Sequence, residues 1–201
     1  MHKSSFEKMR WFKNNYLEED CYLDILDVGS LDTSGDNYNY KSLFENIKWN
    51  YTGLDFENGD NVDILVEDIY NMAEINDSSY DVVISGQLFE HLGFFWLTMG
   101  EIDRILKPGG LCCIIAPSGG PKHGVADSDC YRFYEDGMRA LANYVNFEIL
   151  HVSTNNSEDA KPWCDSCLIA KKEGVLDSSV NLEERVINLE KKINDLLNSV
   201  K

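Results

Sequence analysis

The chain has 201 residues, 43% of them apolar, and a formal net charge of −17. That length and apolar content suit one domain with a sizeable core and exclude global disorder. The acidic surface would repel a nucleic acid duplex, and no Lys/Arg cluster offsets it, so nucleic acid is set aside as a partner. No stretch approaches the roughly 20 apolar residues that span a bilayer. Residues 1–11 are charged and lack the apolar segment of a secretory signal, so a cytoplasmic location is expected.

In chain order, Ser4 or Ser5 is placed to cap a helix running to about residue 16, with Phe6, Met9 and Phe12 or Lys13 at helical spacing. An apolar strand over 22–28 ends in Gly29, and a loop rich in Asp, Ser, Gly and Asn covers 30–39. A short helix over 40–47 leads to strands over 51–55, 62–66 and 80–85, the last of them β-branched. Phe95, Met99, Ile102 and Leu106 form one face of a helix, and Lys107-Pro108-Gly109-Gly110 stops it. A strand over 111–116, a helix over 134–145 and strands over 147–154 and 167–171 complete the pattern. Strands alternating with helices give an α/β fold with a mostly parallel sheet.

The six cysteines fit a reducing compartment. Cys112 and Cys113 are neighbours in a strand and point to opposite faces as buried thiols. Cys164 and Cys167 form a Cys-x-x-Cys that runs into the strand-like Leu168-Ile169-Ala170. No second such pair supplies further zinc ligands, so these are read as structural thiols and no metal site is assigned.

Beyond the domain, expected over 1–172, a polar linker over 173–179 joins a tail over 180–201. Leu182, Val186, Leu189, Ile193, Leu196 and Val200 make a heptad with Leu at each d and a β-branched residue at each a. That choice favours a parallel two-stranded coil, so a homodimer through residues 182–200 is expected. The alternative is a tail that folds back on its own domain.

In an open parallel sheet, ligands bind outside the carboxyl ends of the strands. The informative residues follow strands here. Asp27, Gly29 and Ser30 end the first strand, and Gly29 allows close backbone approach. Asp55 ends the second, 26 positions after Gly29, where a carboxylate can accept from a ribose diol. Asp68 follows the third, and Ser85-Gly86-Gln87 the fourth.

Taken in order, Leu26-Asp27-Val28-Gly29-Ser30, Tyr51-Thr52-Gly53-Leu54-Asp55, Glu67-Asp68-Ile69, Asp81-Val82-Val83-Ile84-Ser85 with Glu90-His91, and Leu106-Lys107-Pro108-Gly109-Gly110 resemble the class I S-adenosylmethionine-dependent methyltransferases of the methyltransferase type 11 kind. The resemblance covers about residues 22–172. It implies a Rossmann-like seven-stranded sheet with helices on both faces and an antiparallel last strand. It also implies S-adenosyl-L-methionine as cofactor, held by Asp27, Gly29, Ser30, Asp55, Phe56, Asp68, Ile69, Ser85 and Gln87. The usual Gly-x-Gly-x-Gly is reduced here to Gly29 and a late Gly35. A branch with a Gly-Ser-x-Asp loop, often associated with bacterial surface glycans, is similar at this point.

A nicotinamide-dependent oxidoreductase would need Gly-x-Gly-x-x-Gly after the first strand, and a sugar-modifying one a Tyr-x-x-x-Lys pair; neither occurs. A non-catalytic methyltransferase-like scaffold is the alternative from another class. Methyl transfer mainly requires an acceptor held in line and water kept out, with a base for a hydroxyl acceptor. His91, past the fourth strand, and His123, in the Gly/Pro-rich stretch 117–124, are the catalytic candidates. Asp127, Asp129, Tyr131 and Arg132 are placed to shape the acceptor pocket, and Phe94-Phe95-Trp96 is read as core. The expected acceptor is a sugar or glycan hydroxyl, with another small hydroxyl metabolite as alternative.

Overall fold

The computed structural model describes residues 3–32, 39–124 and 128–174. The heptad over 182–200, Gly35 and Asp127 lie outside the described residues. The order of elements is α1 (Lys3–Tyr16), β1 (Leu23–Val28), β2 (Trp49–Asp55), β3 (Ile64–Leu65), β4 (Tyr80–Gly86), α2 (Phe95–Ile105), β5 (Leu106–Ala116), α3 (Glu135–Tyr144), β6 (Glu148–Thr154) and β7 (Ser166–Lys171). The seven strands form one sheet in the order β3-β2-β1-β4-β5-β7-β6. β1 to β5 pair in parallel, and β7 runs antiparallel to both its neighbours. The strand order reverses between β1 and β4, which is where a ligand crevice forms in such a sheet.

Two apolar layers cover the sheet because successive strand residues face opposite ways. Leu26, Val28, Val83 and Cys112 pack with Met99 and Ile102 of α2 and Met138 and Leu141 of α3. Ile25, Val82, Ile84 and Cys113 pack with Met9 and Phe12 of α1 and with Tyr40, Phe44 and Trp49. Met9 and Phe12 are fully buried. Each contributes about 1.5–3 kcal/mol, which fixes α1 against the sheet. Among the described residues no helix is long and apolar enough to cross a membrane.

Three local expectations change. Ser4 and Ser5 do not cap α1 but lie inside its first turn, buried, with their hydroxyls bonded to Asp165 and Tyr40. The segment after residue 39 makes only a 3-10 turn, Tyr40–Leu43. α2 ends at Ile105, and Leu106 already belongs to β5, opposite Tyr80. The strand continues through Lys107-Pro108-Gly109-Gly110 with a register shift, because Lys107 reaches Asp24 and Asp81 at 3.0 and 2.8 Å and ties this corner to β1 and β4.

Candidate active site

The carboxyl ends of β1 and β2 are joined by short polar links. Gly29 turns the chain at φ +84°, a conformation that favours glycine, and its amide donates to the Leu54 carbonyl at 2.8 Å. The space above it is already filled by Leu88. Ser30 donates its hydroxyl to the Asn61 carbonyl at 2.7 Å, and the Asn61 side chain donates to the Ser30 carbonyl at 2.9 Å. Asp55 is buried and accepts three backbone N–H groups: Leu31 at 3.0 Å, Phe56 at 2.8 Å and Glu57 at 3.1 Å. One carboxylate oxygen thus carries two donors and the other only one. Phe56, beside it, is 46% exposed.

Asp27 is buried at the end of β1 and accepts from the Tyr51 hydroxyl at 2.6 Å through one oxygen. Burial pushes its carboxyl up to about 7. Its other oxygen, Asn61 Oδ1 and Gln87 Oε1 are buried acceptors without a hydrogen-bond donor. Buried acceptors of this kind ask for a partner.

The remaining residues expected at the cofactor do different jobs locally. Asp68 is exposed and accepts from the Tyr70 amide at 2.8 Å in a turn, and Ile69 is buried in the core. Ser85 is fully buried and donates to the Val28 carbonyl at 2.8 Å, which locks β4 to β1. Gln87, at φ +62°, donates to Ser5 Oγ at 3.2 Å and Asp165 Oδ1 at 3.1 Å. Ser4 also donates to Asp165, and Ser5 bonds Tyr40 at 2.6 Å. This buried chain, Tyr40–Ser5–Gln87–Asp165–Ser4, holds the start of α1 over the strand ends. Sequence reasoning missed it, since Ser4 and Asp165 lie 161 positions apart.

On the neighbouring side the two expected histidines meet. Glu90 and His91 end a 3-10 turn just past β4, and His123 follows β5. The rings of His91 and His123 stand 5.0 Å apart, edge to face, and His123 also packs on Trp163 at 4.5 Å. His91 Nδ1 lies 2.6 Å from the Ser128 carbonyl, which only accepts, so Nδ1 carries the proton and Nε2 the lone pair. That Nε2 is 3.7 Å from Glu90 Oε1. Glu90 is fully buried, both its carboxylate oxygens are without a hydrogen-bond donor from another described residue, and burial pushes it up to about 8.

Asp129 and Arg132, expected in this pocket, form a fork with two bonds of 2.5 and 2.8 Å, and the guanidinium holds Asp129 well below the usual carboxylate range. Asp129 also accepts from the His123 amide at 2.8 Å. The Glu90 carbonyl accepts from the Cys130 and Tyr131 amides, and Tyr131 Oη donates to the Gly93 carbonyl at 3.0 Å. Segment 128–133 is thereby stitched to the turn that carries His91.

The aromatic stripe is not uniformly core. Phe95 packs on Tyr131 and Phe133, but Phe94 is 54% and Trp96 37% exposed. Consecutive residues at a helix start point in different directions, so only one of the three can face the core. Cys164 and Cys167 are unbridged; Cys167 is buried in β7, with Sγ 3.9 Å from that of Cys113.

Residues 26–114 match a family described as "Methyltransferase domain". No curated protein matches the chain. Among solved structures, a Burkholderia thailandensis 1,6-didemethyltoxoflavin-N1-methyltransferase with bound S-adenosylhomocysteine is similar at a TM-score of 0.64 and 14% identity, over 85% of this chain and 79% of that one. A putative sarcosine dimethylglycine methyltransferase from Galdieria sulphuraria is similar at 0.62 and 14% identity, over 85% and 86%. The [4+2]-cyclase SpnF is similar at 0.64 and 15% identity, over 85% and 81%. At these identities the likeness to solved structures establishes the fold.

Proposed function

With methyl transfer as its chemistry and S-adenosylmethionine as its cofactor, we propose that this chain methylates the hydroxyl of a small acceptor, a sugar or glycan hydroxyl in first place. The observation that carries this reading is the His91 imidazole. Its Nδ1 proton is held by the Ser128 carbonyl, and its Nε2 lone pair sits beside the strand-end crevice, where a hydroxyl needs a base. The glycan preference rests on the resemblance of the Gly29-Ser30-Leu31-Asp32 loop to that branch.

The donor set suits the cofactor. Asp55 keeps a lone pair for a ribose hydroxyl after its three backbone bonds. Asp27 Oδ1, Asn61 Oδ1 and Gln87 Oε1 are buried acceptors for a group rich in N–H and O–H, which the ammonium and diol of this cofactor provide. Phe56 offers its exposed ring as a face for the adenine. When bound, the cofactor supplies a methyl group already activated on a sulfonium. The chain's own task is to orient the acceptor, exclude water and take up its proton. His91 Nε2 takes the proton; His123, packed on Trp163, walls the acceptor side; Phe94 and Trp96 present exposed rings near the same turn.

The tail over 182–200 is read as pairing two copies, with 173–179 as linker and the domain over 1–172. The acceptor is tested by a cofactor-consumption screen against nucleotide sugars and small hydroxy acids. Turnover with a sugar hydroxyl supports the reading, and turnover confined to amine acceptors contradicts it.

A further inference from the structure

We propose that Glu90, His91 and His123 bind a divalent transition metal ion of the zinc type. Each offers one ligand atom, and these atoms lie within 4.8 Å of one another. Two imidazoles and a carboxylate form a donor set that zinc uses in catalytic sites, where the fourth position is left for water or substrate. Tetrahedral bonds of about 2.0–2.2 Å put donors about 3.4 Å apart, so a pair 4.8 Å apart must close by about 1.4 Å. His123, 27% exposed in its side chain, is the ligand that would have to shift most.

The Glu90 carboxylate points independently to a ligand. It is fully buried, and among the described residues neither oxygen has a hydrogen-bond donor from another residue. An acid side chain in that state is costly unless it is paired or coordinates a metal. The nearest candidate charge partner, His91 Nε2, stands at 3.7 Å, beyond hydrogen-bond length.

The surroundings of His91 match those of a metal ligand. A ligating imidazole as a rule gives its other ring N–H to a carbonyl or carboxylate, which fixes the ring and the tautomer. His91 Nδ1 meets the Ser128 carbonyl at 2.6 Å. His123 Nδ1 lies 3.4 Å from Asp129 Oδ2 and 3.5 Å from Arg132 Nη2. The guanidinium can only donate, so its contact makes Nδ1 an acceptor; an ion bound through Nε2 requires the tautomer with the proton on Nδ1, turned toward Asp129. Arg132 does not oppose a cation, because its charge is matched by the fork to Asp129. Glu90, pushed up by burial, would give up its proton to a bound ion and supply the negative charge of the cluster. The backbone bonds from Cys130 and Tyr131 to the Glu90 carbonyl hold the two halves of the site in register.

An ion here would occupy the His91 Nε2 lone pair, so it would replace that imidazole as base and bind the acceptor hydroxyl at its open position. Coordination lowers the hydroxyl's pKa, and its proton passes to solvent water. This consequence rests on the hydroxyl-acceptor reading above; the site itself does not.

The test uses tag-free full-length protein stripped with a chelator. Zn²⁺ and Co²⁺ are titrated by calorimetry, and the Co²⁺ form is read by its visible absorption. One ion per chain with micromolar or tighter affinity is expected. Glu90→Gln, His91→Ala and His123→Ala should each weaken it at least tenfold and change the Co²⁺ spectrum. S-adenosylhomocysteine binding by each variant reports that the fold is intact. Absence of saturable binding, or binding that all three variants leave unchanged, overturns the site. A stripped protein that binds no ion yet methylates a hydroxyl removes the ion and keeps the acceptor reading. Saturable, variant-sensitive binding without any hydroxyl acceptor does the reverse.

Discussion

Leu88 closes over Gly29: a Cβ added to that glycine would fall 2.8 Å from the Leu88 Cβ. Gly29 also sits at φ +84°. The glycine is therefore required by its own turn and by Leu88, before any ligand arrives. Gly29→Ala adds left-handed strain of about 1–2 kcal/mol and overpacking of about 1–3 kcal/mol. A destabilisation of about 2–5 kcal/mol is expected in urea unfolding. Leu88→Ala removes Cδ2 at 2.9 Å and Cγ at 3.1 Å but keeps the Cβ at 2.8 Å. A double-mutant cycle should therefore show coupling that relieves part of the overpacking; strictly additive costs would show that the Leu88 side chain beyond Cβ is not an obstacle.

Asp27 should give the protein a distinctive pH dependence. Its folded carboxyl stands at about 7 against an ordinary 3.8, so the folded state holds a proton that the unfolded state has released. A raised value means that the stabilisation is complete below pH 3.8 and is lost as pH rises through about 7. The gap is worth at most about 4 kcal/mol. Asp27→Asn should lose this fall in stability between about pH 4 and pH 7 relative to the parent chain. Chemical denaturation across that range checks it; parallel curves would show that Asp27 ionises normally in the fold.

His91→Ala should lower turnover by roughly 10²–10⁴ if its imidazole takes the acceptor's proton or holds an ion that does the same work. Cofactor affinity should stay within about threefold. Kinetics with the acceptor found by the screen decide it, and a turnover close to that of the parent chain takes His91 off the catalytic list.

Leu at d with Val or Ile at a over residues 182–200 favours a parallel pair. Arg185 at g and Glu190 at the following e would meet across that pair with opposite charges. Full-length protein at tens of micromolar should scatter light as a dimer, and protein ending at Gly174 as a monomer. Ile193→Asp places a charge in the seam of both chains and should also give a monomer. A dimer that survives truncation would assign pairing to another surface.

The sheet was legible because its strands carry their own signature. Tyr80 to Ser85 is β-branched and apolar, and Asp27-Val28-Gly29 and Asp55 mark strand ends by turn chemistry and position. The helical face of Phe95, Met99 and Ile102 was equally clear, but its end was not. Pro108, Gly109 and Gly110 read as a break, whereas the salt links of Lys107 carry a strand through them. His91 and His123 were identified separately and the fold brings them together. Glu90 was read only as part of the Glu90-His91 pair and given no role, since a Glu at a turn start is ordinary and only the fold buries it away from hydrogen-bond donors of other residues. Asp165, Tyr40, Ser4 and Ser5 were invisible for a related reason: their partners lie far away in sequence.

Asp55 tests the account most directly, through the titration of S-adenosylhomocysteine into the parent chain and Asp55→Ala by calorimetry. The account predicts one site per parent chain. Loss of a charge-assisted bond to the ribose costs on the order of 1.5–3 kcal/mol, so affinity should fall at least tenfold in the variant. The variant should also melt lower, because the amides of Leu31, Phe56 and Glu57 lose their acceptor. Equal affinity in both proteins, or no saturable heat in the parent chain, would contradict the placement of the cofactor at the ends of β1 and β2.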